Sequence, residues 1–90
     1  MPRVASPAAT HIGRLLASAR KDLGLTQDQV GALAAMDSAN YRAYENGRAL
    51  PSIHSLLRLA WALDLAPGQL LDGLTPEHFA RAADGRRRAS

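Results

Sequence analysis

Residues 26–47, TQDQVGALAAMDSANYRAYENG, read as two short helices joined by a tight turn. Thr26 is placed to cap the first helix, and Gln29 at its third position completes a capping box. The buried side is expected to be Val30, Leu33 and Ala34. Ala35-Met36 makes the turn, and Asp37 caps the second helix. Tyr41 and Tyr44 lie three apart on one face, and Asn46-Gly47 ends the run. Helices this short cannot bury a core between them, so the rest of the chain must support them.

Before this stretch, Ile12, Leu15, Leu16, Ala19 and Leu23 recur at helical spacing, predicting a helix from about Thr10 to Leu23 that Gly24 stops. Residues 1–9 are expected to be a flexible tail of Pro, Ala and Ser with one Arg. After it, Arg48-Ala49-Leu50-Pro51 forms a loop, and Ser52 caps a helix to about Leu63. Pro67 suits the first turn of a fifth helix, through about Leu71. Thr75-Pro76-Glu77 starts a further helical turn or two to about Ala83, and the tail ADGRRRAS frays. No strand pattern appears. The expected organisation is an all-α domain over 10–74, with 75–90 a C-terminal helical turn and basic tail.

Ninety residues make one small domain, near the lower limit for a single apolar core. The absence of cysteine excludes disulfides and thiolate metal sites. His11, His54 and His78 lack metal-ligand spacing and read as surface histidines. No nucleophile, base and orienter set can be named, so an enzyme is not expected, nor a cofactor. No apolar run approaches a membrane span, and the start lacks a signal peptide's apolar region. A cytoplasmic protein is the default expectation. The net charge of +3 is uneven. Between Thr10 and Leu74, six basic residues balance six acidic ones; the excess sits in the ends, chiefly Arg81 and Arg86–Arg88. A neutral body excludes a protein that clings to nucleic acid by charge alone.

Two short capped helices around a tight turn commonly hold the second one out as a probe, most often into the major groove of DNA. Leu25-Thr26-Gln27, Val30, Ala34, Met36, Tyr41, Tyr44-Glu45-Asn46-Gly47, Pro51-Ser52, Leu59-Ala60, Ala62-Leu63 and Leu70-Leu71 extend the pattern. In order and spacing these resemble the Cro/C1-type helix-turn-helix domain, the XRE family of phage and bacterial transcription regulators. The resemblance spans about Ile12 to Leu74 and implies a five-helix Cro/C1-repressor-like fold, here with a short extra C-terminal helical segment. It implies double-stranded DNA as partner. It places the second helix over the DNA backbone, with Gln27 touching phosphate or an edge base. It places the third helix in the major groove, with Ser38, Ala39, Arg42 and Ala43 facing bases, and Asn46 and Arg48 in a backbone-contacting loop. It matches Arg20 and Glu45 to a pair that bridges the first helix to the recognition helix.

On physical grounds Arg42 is the best reader, because it points away from the tyrosine face and arginine grips guanine or phosphate. Its alternative is a solvated surface arginine. Ser38 can bond a base or phosphate, and Ala39 and Ala43 can meet thymine methyls; alanine also simply favours helix. The face lacks a Gln or second Arg to add about 1–3 kcal/mol per bidentate pair. Asn40 sits beside the turn. Departures from the family pattern are Ala35 and Asp64 where glycine is usual, Gly31 for alanine, and Ala17 where arginine is common.

The fourth helix carries two stripes. Ile53, Leu56, Leu59, Ala60 and Leu63 form the expected core face. His54, Leu57 and Trp61 form a second, apolar stripe on an expected surface. Two covers fit it: Phe79 and Ala82 folding back, or a second copy across a two-fold axis, giving a homodimer.

The sequence therefore predicts a dimeric repressor on a palindromic operator. An antitoxin or restriction-modification controller would use the same DNA site, with a protein partner on the C-terminal segment. A protein-interaction module that keeps the fold without operator binding is the rival of another class.

Overall fold

The computed structural model describes residues 6–79. The described residues form α1 (Pro7–Asp22), α2 (Gln27–Leu33), α3 (Ser38–Glu45) and α4 (Ile53–Ala62), followed by two 3-10 turns, Pro67–Leu71 and Pro76–Phe79. The all-α class holds. The fifth helix does not form as an α-helix: Pro67–Leu71 is a 3-10 helix. Ala66 before it has no capping side chain, and five residues leave almost no room for i→i−4 bonds. The Gln69 side chain instead accepts from the Ala66 N–H at 2.7 Å.

Each α-helix opens on a side-chain cap. Ser6 Oγ accepts from Ala9 N at 3.0 Å with Pro7 in the first turn, so α1 begins three residues before Thr10. Residues 7–9, expected in the flexible tail, are its first turn, and Ala8 and Ala9 are buried. Thr26 and Gln29 close the capping box of α2, Asp37 caps α3 through Ala39 N, and Ser52 caps α4 through Ser55 N.

All four helices also end the same way. The N–H two residues past each cap bonds back five residues: Leu25 to Arg20 O, Met36 to Gly31 O, Arg48 to Ala43 O, Leu65 to Ala60 O. This closure needs a left-handed residue just after the cap. Gly24 and Gly47 supply it freely, whereas Ala35 (φ 57°) and Asp64 (φ 59°) adopt it with a Cβ. For such a residue the conformation costs about 1–2 kcal/mol.

The core gathers Ile12 and Leu16 of α1, Val30 and Ala34 of α2, Tyr41 of α3, Leu56, Leu59, Ala60 and Leu63 at α4, and Leu70. Three expected core residues lie outside it: Leu23 is 48% exposed, Leu33 48% and Ile53 74%. Each sits at a helix end or in a first turn, where neighbouring elements no longer cover the stripe. Gly13 is where α1 meets the end of α3. A Cβ there would overlap the Glu45 carbonyl oxygen and come within 2.9 Å of the Tyr44 carbonyl oxygen.

The second 3-10 turn packs on α1, not on α4. The His78 ring packs at a tilt against the His11 ring, centroids 4.8 Å apart, and His11 Nε2 bonds the Asp72 carbonyl oxygen at 2.6 Å. Phe79 therefore does not cover Trp61, which is 76% exposed; Ala82 lies outside the described residues.

One carboxylate ties α1, α2 and α3 together. Arg20 grips Glu45 with two bonds, Nε to Oε1 at 2.8 Å and Nη2 to Oε2 at 2.9 Å. Its Nη1 donates to the Leu25 carbonyl oxygen at 3.0 Å. Tyr41 Oη donates to Glu45 Oε1 at 2.6 Å, and Gln27 Nε2 to Oε2 at 3.1 Å. The two charged side chains are only 15% and 7% exposed. Burial alone would push the Glu45 carboxyl up, but the hydrogen bonds from Arg20, Tyr41 and Gln27 outweigh it and hold it below the ordinary carboxylate value. The bond to Glu45 in turn raises Arg20, and burial followed by the same carboxylate raises Tyr41.

Replacing Arg20 by Met strands a buried carboxylate and is expected to cost about 3 kcal/mol in urea unfolding at neutral pH. Because the folded Glu45 value is lowered, its contribution is present above the unfolded carboxylate value and is lost as pH falls through the folded one. Wild type should therefore lose stability more steeply than Glu45→Gln between about pH 5 and pH 3. In the turn, Ala35→Gly should raise stability by up to about 1 kcal/mol, the relieved strain exceeding glycine's entropy. Gly13→Ala should destabilise more than any surface alanine substitution on α1, because backbone rather than side chain blocks its Cβ.

Candidate nucleic-acid interface

The brace points α3 outward by its other side. Tyr41 is fully buried and Tyr44 half-buried, so both tyrosines face inward as the spacing predicts. On the opposite side Ala39 and Arg42 are exposed, and Asn40 is also open to solvent. Ser38 and Ala43 are half-buried at its margins. The Ser38 Cβ lies against Gly31 of α2, and this contact leaves only 3.5 Å to a Cβ built on that glycine. Four of the residues expected to face DNA thus share the outer side of one helix of eight residues.

Arg42 is not free on that surface. Its Nη1 donates to Asp28 Oδ1 of α2 at 3.0 Å, with the two side chains 45% and 76% exposed. A pair this exposed contributes at most about 1 kcal/mol to stability. Asp28 is the residue that sequence reasoning missed here. Arg42 and Asp28 are 14 apart in sequence, and only the packing of α3 on α2 brings them together.

Gln27 also takes part in the brace. Its Nε2 is held by Glu45, so its side chain is half-buried and part of the brace. Asn46 is the C-cap of α3, and Arg48 follows Gly47 in the helix-ending motif; both side chains are exposed. They follow α3 at its C-terminal end. Asp37, the other acid at this surface, is occupied by the Ala39 N–H at 3.2 Å.

A separate apolar face lies on α4. Ile53, Leu57 and Trp61 recur every four residues, with His54 alongside, and all four are exposed. Leu57 and Trp61 join Leu33, Ala34, Ala35 and Arg58 around an open groove of about 320 Å³. Arg58 Nη1 donates to the Ala35 carbonyl oxygen at 3.1 Å, fastening the left-handed turn to α4. No helix among the described residues is long and apolar enough to cross a membrane.

With this geometry in hand, comparison with known proteins is direct. Residues 11–74 match the family model of the helix-turn-helix domain. A solved structure, the restriction-modification controller protein C.AhdI from Aeromonas hydrophila, is similar with a TM-score of 0.67 and 31% sequence identity. The match covers 69% of this chain and 94% of that one. No curated protein sequence matches. The matched span runs from His11 on α1, through the braced α2–α3 pair, to Leu74 beyond the first 3-10 turn, and the chain belongs to the XRE-like helix-turn-helix family of DNA-binding transcription regulators.

Proposed function

We propose that this protein is a sequence-specific repressor that binds a palindromic operator as a homodimer. The observation that carries this reading is the side of α3 turned away from the brace. Ser38, Ala39, Arg42 and Ala43 would face bases in the major groove, with Asn46 and Arg48 on the backbone beside them. Gln27 would contribute partly by holding Glu45, leaving its second amide N–H and its carbonyl oxygen for other partners. A neutral body and one arginine per reading face provide few phosphate contacts, so a single copy would bind weakly. Two copies, with half-sites about 34–36 Å apart, double them. Such a protein acts on the bacterial or phage chromosome in the cytoplasm.

The apolar face of α4 is the proposed dimer surface. The exposed parts of Leu33, Ile53, Leu57 and Trp61 amount to roughly 500 Å² per copy, or about 1,000 Å² for a pair, the size that a specific interface should clear. His54 at the edge would supply the polar rim.

A second reading is favoured by one observation. The similar structure is a restriction-modification controller, matched over nearly all of its length. In this reading the same DNA site regulates the genes of a restriction-modification system rather than a general operator. Genes for a methyltransferase and an endonuclease beside this one would support it.

Operator binding is tested by titrating the protein into its own upstream DNA across a salt series, beside Arg42→Ala. The expected slope of log affinity against log salt is shallow, and Arg42→Ala should cost about 1–3 kcal/mol on the specific site. Equal binding by both proteins with no sequence preference would favour the interaction-module reading instead. For the dimer, sedimentation of wild type and Trp61→Lys is the measurement. A two-fold mass for wild type and a monomer for the variant are expected; a wild-type monomer at high micromolar concentration refutes the interface.

A further inference from the structure

Asp28 suits the first turn of α2 as an acid, but it caps nothing there. Thr26 and Gln29 already cap α2, and the hydrogen bond that Asp28 makes goes instead to Arg42 on the next helix. It does so on the side of α3 that faces outward, while 76% exposed. We propose that Asp28 is a positioning residue that makes Arg42 a reader of bases rather than of phosphates. This rests on the operator-binding reading above.

Two physical consequences of the pair lead there. The first is geometric. The contact is made by Nη1 alone, which leaves the Nε–Nη2 edge of the guanidinium open. A planar edge with two parallel donors is what meets O6 and N7 of guanine. Holding a long side chain by one end before binding removes part of the entropy that a free arginine would lose.

The second is electrostatic. A phosphate approaching Arg42 also meets the Asp28 carboxylate, and like charges repel at short range. Guanine presents neutral acceptors, so it does not meet that repulsion to the same degree. Asp28 thus lowers the affinity of Arg42 for any backbone while leaving its base-reading edge intact. In a chain whose reading face carries one arginine, this raises the ratio of specific to non-specific binding, which is what decides occupancy among many competing sites.

The test begins with selection of a preferred site from random-sequence duplexes by the wild-type protein. The selected duplex and its single-base-pair variants are then titrated with wild type, Arg42→Ala, Asp28→Ala and Asp28→Asn across a salt series. Arg42→Ala is expected to erase preference for a G·C pair in each half-site. Asp28→Ala should keep the fold, bind unrelated DNA more tightly, and lose about tenfold of that preference. Its salt slope should steepen by about 0.9 for each arginine released onto phosphate. Asp28→Asn keeps an acceptor for Nη1 without the charge and should fall between alanine and wild type. If Arg42→Ala loses the base preference while Asp28→Ala matches wild type in both preference and slope, the positioning role is wrong and the operator reading stands. If wild type shows no preferred site, both fail.

Discussion

Glu45 is the point on which the orientation of α3 depends. Its carboxylate receives Arg20 from α1, Gln27 from α2 and Tyr41 from α3 itself, at 2.6–3.1 Å. A buried carboxylate with fewer donors would be costly, and burial does push it toward neutrality. The set of donors reverses that balance and converts the cost into geometry. The carboxylate keeps its charge only where all three side chains converge, which fixes three helices at one place. Gly13 reinforces the same junction, because its missing Cβ lets α1 lie against the carbonyl oxygens that end α3.

Local chemistry was the most legible part of the sequence. The caps at Thr26, Asp37 and Ser52 and the stop at Asn46-Gly47 each follow from residue type and spacing over a few positions, whereas Ala35 and Asp64 were marked only by the family pattern, where glycine is usual. They are found where expected. The Arg20–Glu45 pair came from the family pattern and is present with both bonds. What was less legible depends on how far a neighbour reaches. Ile53 and Leu33 carry the right spacing for the core, yet the elements that would cover them stop short. Gly13 reads as an ordinary weak spot in a helix until the end of α3 is placed against it. The start of α1 was misplaced because Ser6-Pro7 is a good opening followed by alanines, whose burial no periodicity announces.

The candidate site shows the same division. Arg42 was legible because it projects from a helix face opposite two tyrosines. Asp28 was not, since a lone acid in a first turn is ordinarily there for the helix dipole. Gln27 was assigned to DNA by resemblance, and its amide is instead bonded within the scaffold. The scaffold therefore engages part of one polar group on the surface that touches DNA in the family, and the Asp28 carboxylate partly neutralises another. Both shifts move the surface toward fewer and more directed contacts.

That sparseness connects the two faces of the molecule. An interface rich in cations can bind DNA as single copies, because each phosphate contact adds affinity independently of sequence. Here the domain from Thr10 to Leu74 is neutral, and Arg42 is engaged by an acid. In the dimer proposed above, affinity would come from joining sites rather than from charge. Linking two weak sites makes the second contact intramolecular, which multiplies affinity without any added contact to DNA. The same neutral body exposes Ile53, Leu57 and Trp61 along α4, and burying them against a second copy, as proposed above, would drive association without salt-sensitive charge. Under the proposed function, a dimer held by apolar surface would stay paired as salt rises while each half-site contact weakened only slightly, so discrimination between sites would be preserved over a wider range of ionic strength than a cation-rich monomer allows.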